Sequence, residues 1–159
     1  MPEPIDYQIV RNLQTALRAI TVAGGYHYDV ASLAVKLDPN QDIEQLIGDQ
    51  ALRPFVILEP TPGTWEYQPS KRVKLTIPVT IHWVQESDPT VDESRLLTCC
   101  RGVADVEQAI AVDIFRGALA IDTRITRVRF ETVPDSAQVW VMVEIEISLI
   151  RIYGQPNTL

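Results

Sequence analysis

The chain is poor in the residues that build reactive or metal-bound sites, with two cysteines and two histidines among its 159 residues. Cys99 and Cys100 are adjacent on a segment that reads as a helix, where neighbouring side chains diverge, so no disulfide framework is available. They read as buried or half-buried structural thiols. A metal site needs three or four convergent ligands, and His27 and His82 add no spacing that would complete one. Neither histidine has an evident carboxylate or nucleophile partner by sequence, so both read as surface or interface residues. Glycine is also scarce. Gly24-Gly25 leads into Tyr26 rather than into a helix start, which excludes a phosphate-cradling loop.

Positive charge is in deficit as well. Fourteen Lys and Arg face twenty-one Asp and Glu, a net charge of −7, so there is no basic footprint for gripping a phosphate backbone. Long apolar runs are missing, because the stretch from Val139 to Ile152 is interrupted by Glu144, Glu146 and Arg151. It falls short of a membrane span. Met1-Pro2-Glu3-Pro4 opens the chain without a basic segment followed by an apolar one, so the expectation is a soluble protein made in the cytoplasm. Asp38, Asn40 and Asp42 imitate the first half of a calcium loop, but Ile43 stands where glycine is required and Asp49 where the closing glutamate belongs. No cofactor is expected.

What is present is a strong extended pattern. Val73, Leu75, Ile77, Val79, Ile81 and Trp83 alternate with polar residues, and Val139, Val141, Val143, Ile145, Ile147 and Leu149 do the same. Each run predicts a strand with one face in a core. Such strands, of about a dozen residues, span roughly 40 Å against a usual length of five or six residues. Pro78 interrupts the first run and cannot donate to a ladder, which predicts an edge or a bulge there. Pro54 to Glu59 reads as a strand buried on both faces. After a turn through Pro60, Pro62 and Gly63, Thr64 to Tyr67 can begin a hairpin arm. Leu33, Val35 and Leu37 make a short strand, and Ile121 to Val133 a further extended segment, reversed by Pro134, Asp135 and Ser136.

Two amphipathic helices complete the pattern. Ile5, Ile9, Leu13, Leu17 and Ile20 recur at helical spacing before Gly24-Gly25. Thr90 with Glu93 resembles a capping box, followed by an apolar stripe through Leu96, Cys99, Val103, Val106, Ile110 and Ile114 and a stop at Gly117. Asn40 can cap a short helix carrying Ile43, Leu46 and Ile47, ended by Gly48. The order implies an α+β fold: a mainly antiparallel, long-stranded sheet with two helices on one face and a protruding β-hairpin arm. The expected organisation is one domain over residues 1–153 and a short tail over 154–159.

The second face of that sheet mixes Glu144 and Glu146 with Trp140, Met142 and Ile150. Glu144 and Glu146 are spaced for acid and base roles, but across a neighbouring strand from Lys74 or Arg72 they read as surface ion pairs. Free strand edges on a soluble chain invite pairing with another chain.

The stretches Arg53-Pro54-Phe55-Val56-Ile57-Leu58-Glu59-Pro60, Trp65-Glu66-Tyr67 and Leu75-Thr76-Ile77-Pro78-Val79-Thr80-Ile81 resemble bacteriophage tail terminator proteins, also called tail completion or minor tail proteins. The first helix with its glycine turn, the helical Asp105-Val106-Glu107-Gln108-Ala109 and the last strand, Val141 to Ile150, are similar too. The stretch from Asp38 to Gln50 has no counterpart. The resemblance implies a non-enzymatic virion protein at the tail–neck junction, assembled in the host cytoplasm as a hexameric ring that caps the tail tube. The implied partners are identical copies, the tail tube protein, a neck stopper or connector protein and, in a contractile tail, the sheath; DNA passes without specific binding. A closed ring needs two different patches per subunit. The candidates are Trp65 and Tyr67 on the arm, Pro78, and the half-apolar face of Trp140, Met142 and Ile150. Glu144 and Glu146 are the acidic residues that can face a channel. Two alternatives stay open: another neck component such as a stopper or head–tail connector, and a small α+β enzyme using Glu144, Glu146 and His82.

Overall fold

The computed structural model describes residues 3–47, 54–87, 90, 93–132 and 136–155. Its spine is a pair of fifteen-residue strands, β4 (Arg72–Glu86) and β6 (Gln138–Ile152), antiparallel along their whole length from Arg72 opposite Ile152 to Glu86 opposite Gln138. At about 3.4 Å per residue the pair is roughly 50 Å long. β2 (Phe55–Pro60) pairs with the Val79–Val84 half of β4, and β3 (Thr64–Gln68) with the Arg72–Thr76 half. β1 (Ser32–Val35) lies parallel to β2, and β5 (Asp122–Thr132) runs antiparallel along the other side of β6. The sheet order is β1-β2-β4-β6-β5, with β3 beside β4.

The alternation read from the sequence sorts the two faces. Leu75, Ile77, Val79, Ile81 and Trp83 of β4, with Val139, Val141, Val143, Ile145, Ile147 and Leu149 of β6, point to a core closed by α1 (Ile5–Arg18) and α3 (Ser94–Ala111). Ile5, Ile9, Leu13 and Leu17 of α1 are buried there, each burial contributing about 1.5–3 kcal/mol. The opposite, far face carries a smaller cluster of Phe55, Ile57 and Val84, with Ala34, Trp140 and two residues of the short α2 (Ile43–Ile47), Ile43 and Leu46, packed against it. The fold is α+β, with a mainly antiparallel long-stranded sheet.

Pro78 shows why β2 and β3 are separate strands. Its carbonyl accepts from Thr61 N at 3.0 Å, so its ring nitrogen, which has no hydrogen to donate, faces the same side. There Thr61, Pro62 and Gly63 stand opposite only Ile77 and Pro78, a bulge that absorbs the missing donor. The proline is therefore at a bulge within a central strand rather than at an edge. Gly63 is required at the bulge, because a Cβ there would lie 2.6 Å from the Thr76 carbonyl oxygen.

Several element ends differ from the sequence reading, each for a local reason. α1 ends at Arg18, and the chain turns through a 3-10 segment, Val22–Gly24, before Gly25 in a left-handed conformation. α3 begins at Ser94 with Glu93 at the N-cap, at φ 55° and without a side-chain cap hydrogen bond, so no Thr90–Glu93 box starts it. It stops at Ala111 rather than Gly117. Asp113 accepts from the backbone N–H groups of Phe115 and Gly117, and Arg116, Gly117 and Ala118 all have positive φ. Leu96 and Ile114 of the expected stripe are exposed, and the buried side of α3 is Cys99, Gly102, Asp105, Val106, Ala109 and Ile110. Cys100 is exposed. Asp42, not Asn40, accepts from the first turn of α2, from Glu44 N at 2.9 Å. Leu37 lies beyond the end of β1. Gly48, Pro134 and Asp135, expected to stop or turn the chain, lie outside the described residues.

The fully buried Asp105 fastens the Tyr26–Tyr28 segment to α3. Its carboxylate accepts from His27 N at 2.8 Å, Tyr28 N at 3.0 Å and His27 Nδ1 at 2.8 Å. Hydrogen bonds to a charged acceptor are worth about 1.5–3 kcal/mol, and removing the acceptor leaves the part-buried N–H groups of His27 and Tyr28 unpaired. Asp105→Ala is expected to lower unfolding free energy by about 3 kcal/mol or more in urea titration. Gly63→Ala is expected to cost about 1–3 kcal/mol by overpacking the bulge.

Candidate functional site

The far face of the sheet carries a row of polar side chains, one from each of four adjacent strands. Lys36, just past β1, donates from Nζ to Glu59 Oε1 on β2 at 2.8 Å. Glu59 Oε2 lies 2.9 Å from Nε2 of His82 on β4, and Trp140 Nε1 on β6 is 3.2 Å from His82 Nδ1. An indole N–H only donates, so His82 Nδ1 is the acceptor and the imidazole proton sits on Nε2, which donates to Glu59. The row is therefore ammonium, carboxylate, neutral imidazole and indole. It is largely dry, with side-chain exposures of 10% for Lys36, 25% for Glu59 and 4% for His82. Among the described residues no group of three or more His, Cys, Asp or Glu side chains could hold a metal ion.

Burial pushes the His82 pKa below the ordinary histidine value, and the pull of Glu59 in the opposite direction does not overcome it. For Glu59, burial pushes upward, but the hydrogen bonds from Lys36 and His82 and the charge of Lys36 hold the carboxyl below its usual value. Both sequence expectations for His82, surface exposure and no carboxylate partner, are overturned. The partner stands on a strand whose register places Ile57 opposite His82 and Glu59 two residues on, on the same face. His27 likewise has a carboxylate, Asp105, although its own side chain is 47% exposed.

Glu144 and Glu146 are paired, but not with Lys74 or Arg72. Arg129 Nη2 donates to Glu144 at 2.5 Å and Arg124 Nη2 to Glu146 at 2.9 Å, both from β5, the neighbour of β6 on the side away from β4. The two carboxylates are thus matched by guanidinium groups, and no hydrogen bond among the described residues joins them to His82. Of the face expected to dock, Trp140 and Ile150 are half-buried, while Met142 is 7% exposed.

Trp65 and Tyr67 sit on the helix side of β3, opposite Leu75 and Val73 of β4. Both are anchored to β6 or the residue just after it: the Arg151 guanidinium lies 4.5 Å from the Trp65 ring centre and also pairs with Asp6 of α1 at 3.1 Å, and the Tyr153 ring meets Tyr67 edge-on at 5.5 Å. Even so, 47% of Trp65 and 68% of Tyr67 remain exposed. Trp65 lines an apolar groove of about 440 Å³ with Tyr7 and Val10 of α1, Leu37, Pro62 and Ile77. The groove was not legible as a site, since it depends on where β1 and β3 fall along one side of β4.

No protein-family model matches the chain, and no curated protein matches it. Among solved structures the chain is similar to one described as "Virion of native gene transfer agent (GTA) particle", at 11% identity over 86% of this chain and 90% of that one, with a TM-score of 0.47. No helix of the described residues is long and apolar enough to cross a membrane.

The polar row makes stability pH-dependent. Folded-state pKa values of His82 and Glu59 both lie below their ordinary values, so each contributes stability that is present above its unfolded pKa and lost as pH falls. Urea midpoints are expected to decline from pH 7.5 downward, first through the histidine range and then through the carboxylate range. His82→Gln is expected to flatten the upper part of that decline; an unchanged pH profile in this variant would contradict the assignment. Glu59→Ala, which strands Lys36, is expected to cost about 2–3 kcal/mol at pH 7.

Proposed function

We propose that the chain is a structural virion protein, a tail terminator that forms a ring, hexameric as in the family it resembles, on the end of the tail tube and joins it to the neck. One observation carries the reading: an open sheet whose outermost strands, β5 on one side and β1 and β3 on the other, find no further strand within the described residues. β5 alone offers eleven residues of such a rim. A head-to-tail contact between two unlike rims generates a ring when the rotation closes. Exposed Trp65 and Tyr67 on the helix face, Pro78 at the bulge, and Trp140 and Ile150 on the far face, where Met142 is buried, supply aromatic and apolar docking area.

The polar row is more consistent with holding four strands in register than with turnover. His82 has both ring nitrogens engaged and Glu59 has both oxygens engaged. The net charge of −7 lets DNA pass such a ring by repulsion, and the pairing of Glu144 and Glu146 with arginines leaves that role to other carboxylates. The partners of this reading are identical copies, the tail tube protein, a stopper or connector protein and, in a contractile tail, the sheath; residues 1–153 act as one domain, and 154–159 as a tail.

Negative-stain imaging of the purified protein, alone and mixed with tail tubes, tests the reading. Rings seated on tube ends are the expected result. A stable monomer at high concentration that ignores tubes contradicts it, and binding to portal–adaptor complexes instead of tubes assigns the chain to another neck component.

A further inference from the structure

The two rims of the sheet are chemically unlike, and unlike in a matching way. On β5 the far face carries Arg124, Arg127 and Arg129 between Asp122 and Glu131 at its two ends, while the helix face carries Val128 and Phe130, 37% and 46% exposed. Arg127 makes no ion pair among the described residues. Beyond β1, at the other margin, exposed Asp38, Asp42 and Glu44 lead into and begin α2, which packs on the far face. Leu33 and Val35, half-buried on the helix face of β1, are followed by Leu37 at 76% exposure. In a chain of net charge −7, the basic row therefore sits at one end of the sheet and an acidic segment at the other.

The registers place the apolar features at the same height, while Arg127 is level with Glu144, Thr80 and Glu59, the carboxylate that Lys36 pairs with. Val128 is level with Val143, Ile81, Leu58 and Val35 across the sheet, and Phe130 with Val141, Trp83, Val56 and Leu33. β5 runs antiparallel to β1, since β1 is parallel to β2 and each later step to β4, β6 and β5 reverses direction. A second copy set beside the first with its sheet continuing the same way thus brings an antiparallel strand to the rim. Apolar side chains then meet on the helix face, and the β5 arginines come to the margin that carries Asp38, Asp42 and Glu44, beyond the paired Lys36.

We propose that the β5 rim of one copy docks on the β1–α2 rim of the next, so that Arg127 and its neighbours lie against Asp38, Asp42 and Glu44 while Val128 and Phe130 cover Leu33, Val35 and Leu37. This rests on the ring reading above and names its contact. Charged residues and a bulge on an outer strand also serve simply to prevent edge-to-edge aggregation, and β5 has both, with its register shift between Ile125 and Arg127. Protection alone requires no acidic segment at the opposite margin. With one present, the arginines repel a second β5 and favour the unlike rim, which selects head-to-tail growth over a two-fold dimer.

Charge reversal of each rim in the full chain tests the contact, read by sedimentation velocity at low salt. Arg127→Glu replaces the one β5 arginine that has no ion pair among the described residues by an anion, and Glu44→Lys reverses a charge on the other rim; both positions are exposed. Each variant alone is expected to associate more weakly than wild type by about tenfold, and an equimolar mixture to recover wild-type association, because each variant then presents the complement of the other. Recovery on mixing also shows that both are folded. High salt should weaken the wild type and reduce its advantage over the variants. Two variants that each associate as tightly as wild type overturn the contact while leaving a ring built elsewhere on the surface intact. A wild-type chain that stays monomeric at about 1 mM in low salt also overturns it, and the tube-capping images show whether the ring reading falls with it.

Discussion

Everything in this molecule hangs on the antiparallel ladder between β4 and β6. Fifteen residues of each strand pair without a break, from Arg72 with Ile152 to Glu86 with Gln138. Because side chains alternate along both strands, one register decides two surfaces at once. A slip of one residue would carry Val79, Ile81, Val143 and Ile145 out of the core beneath α1 and α3 and bring His82 and Glu144 into it. The ends of the ladder are fixed as well, by Ser87, which donates from both N and Oγ to the Ala137 carbonyl at 2.8 Å, and by Tyr153 N, which donates to the Lys71 carbonyl. The spine is also far longer than the usual strand of five or six residues.

That length explains the rest of the architecture. β4 is too long for one partner on its outer side, so β2 and β3 divide it, and the division falls where Pro78 cannot donate. The groove beside Trp65 lies where the partners change, and Leu37, past the end of β1, forms part of its wall. On the far face the Lys36–Glu59–His82–Trp140 row ties β1, β2, β4 and β6 together side by side, while Arg124 and Arg129 do the same for β5 and β6. A sheet braced in this way across its width is suited to transmit load between its two margins, as the proposed ring would require.

The fold was legible in the sequence wherever burial on one face imposed a strict period. The alternation from Val73 to Trp83 and from Val139 to Leu149 and the spacing of Ile5, Ile9, Leu13 and Leu17 all translate directly into elements. The ends of α3 were not legible, because they are set by the left-handed Glu93 and by Asp113 capturing the N–H groups of Phe115 and Gly117, which compete locally with an apolar stripe that continues past them. Of the site, the exposed Trp65 and the half-buried Trp140 could be picked out as large aromatics. The partners of His82 and His27 could not: Glu59 and Asp105 lie 23 and 78 residues away, and only strand register and helix docking bring them close. Nothing in an alternating pattern marks which carboxylate will find which arginine, and so Glu144 and Glu146 turned toward β5 instead of β4.

The central claim is that the margins of this sheet are completed by another copy. Amide hydrogen exchange on free and ring-assembled protein tests it most directly. The account predicts that β4 and β6 amides exchange slowly in both states, while outward-facing amides of β5 and β1 exchange quickly in the free chain and become protected on assembly. Protection of those β5 amides already in the free chain, or protection gained on assembly only at surfaces away from both rims, would contradict it.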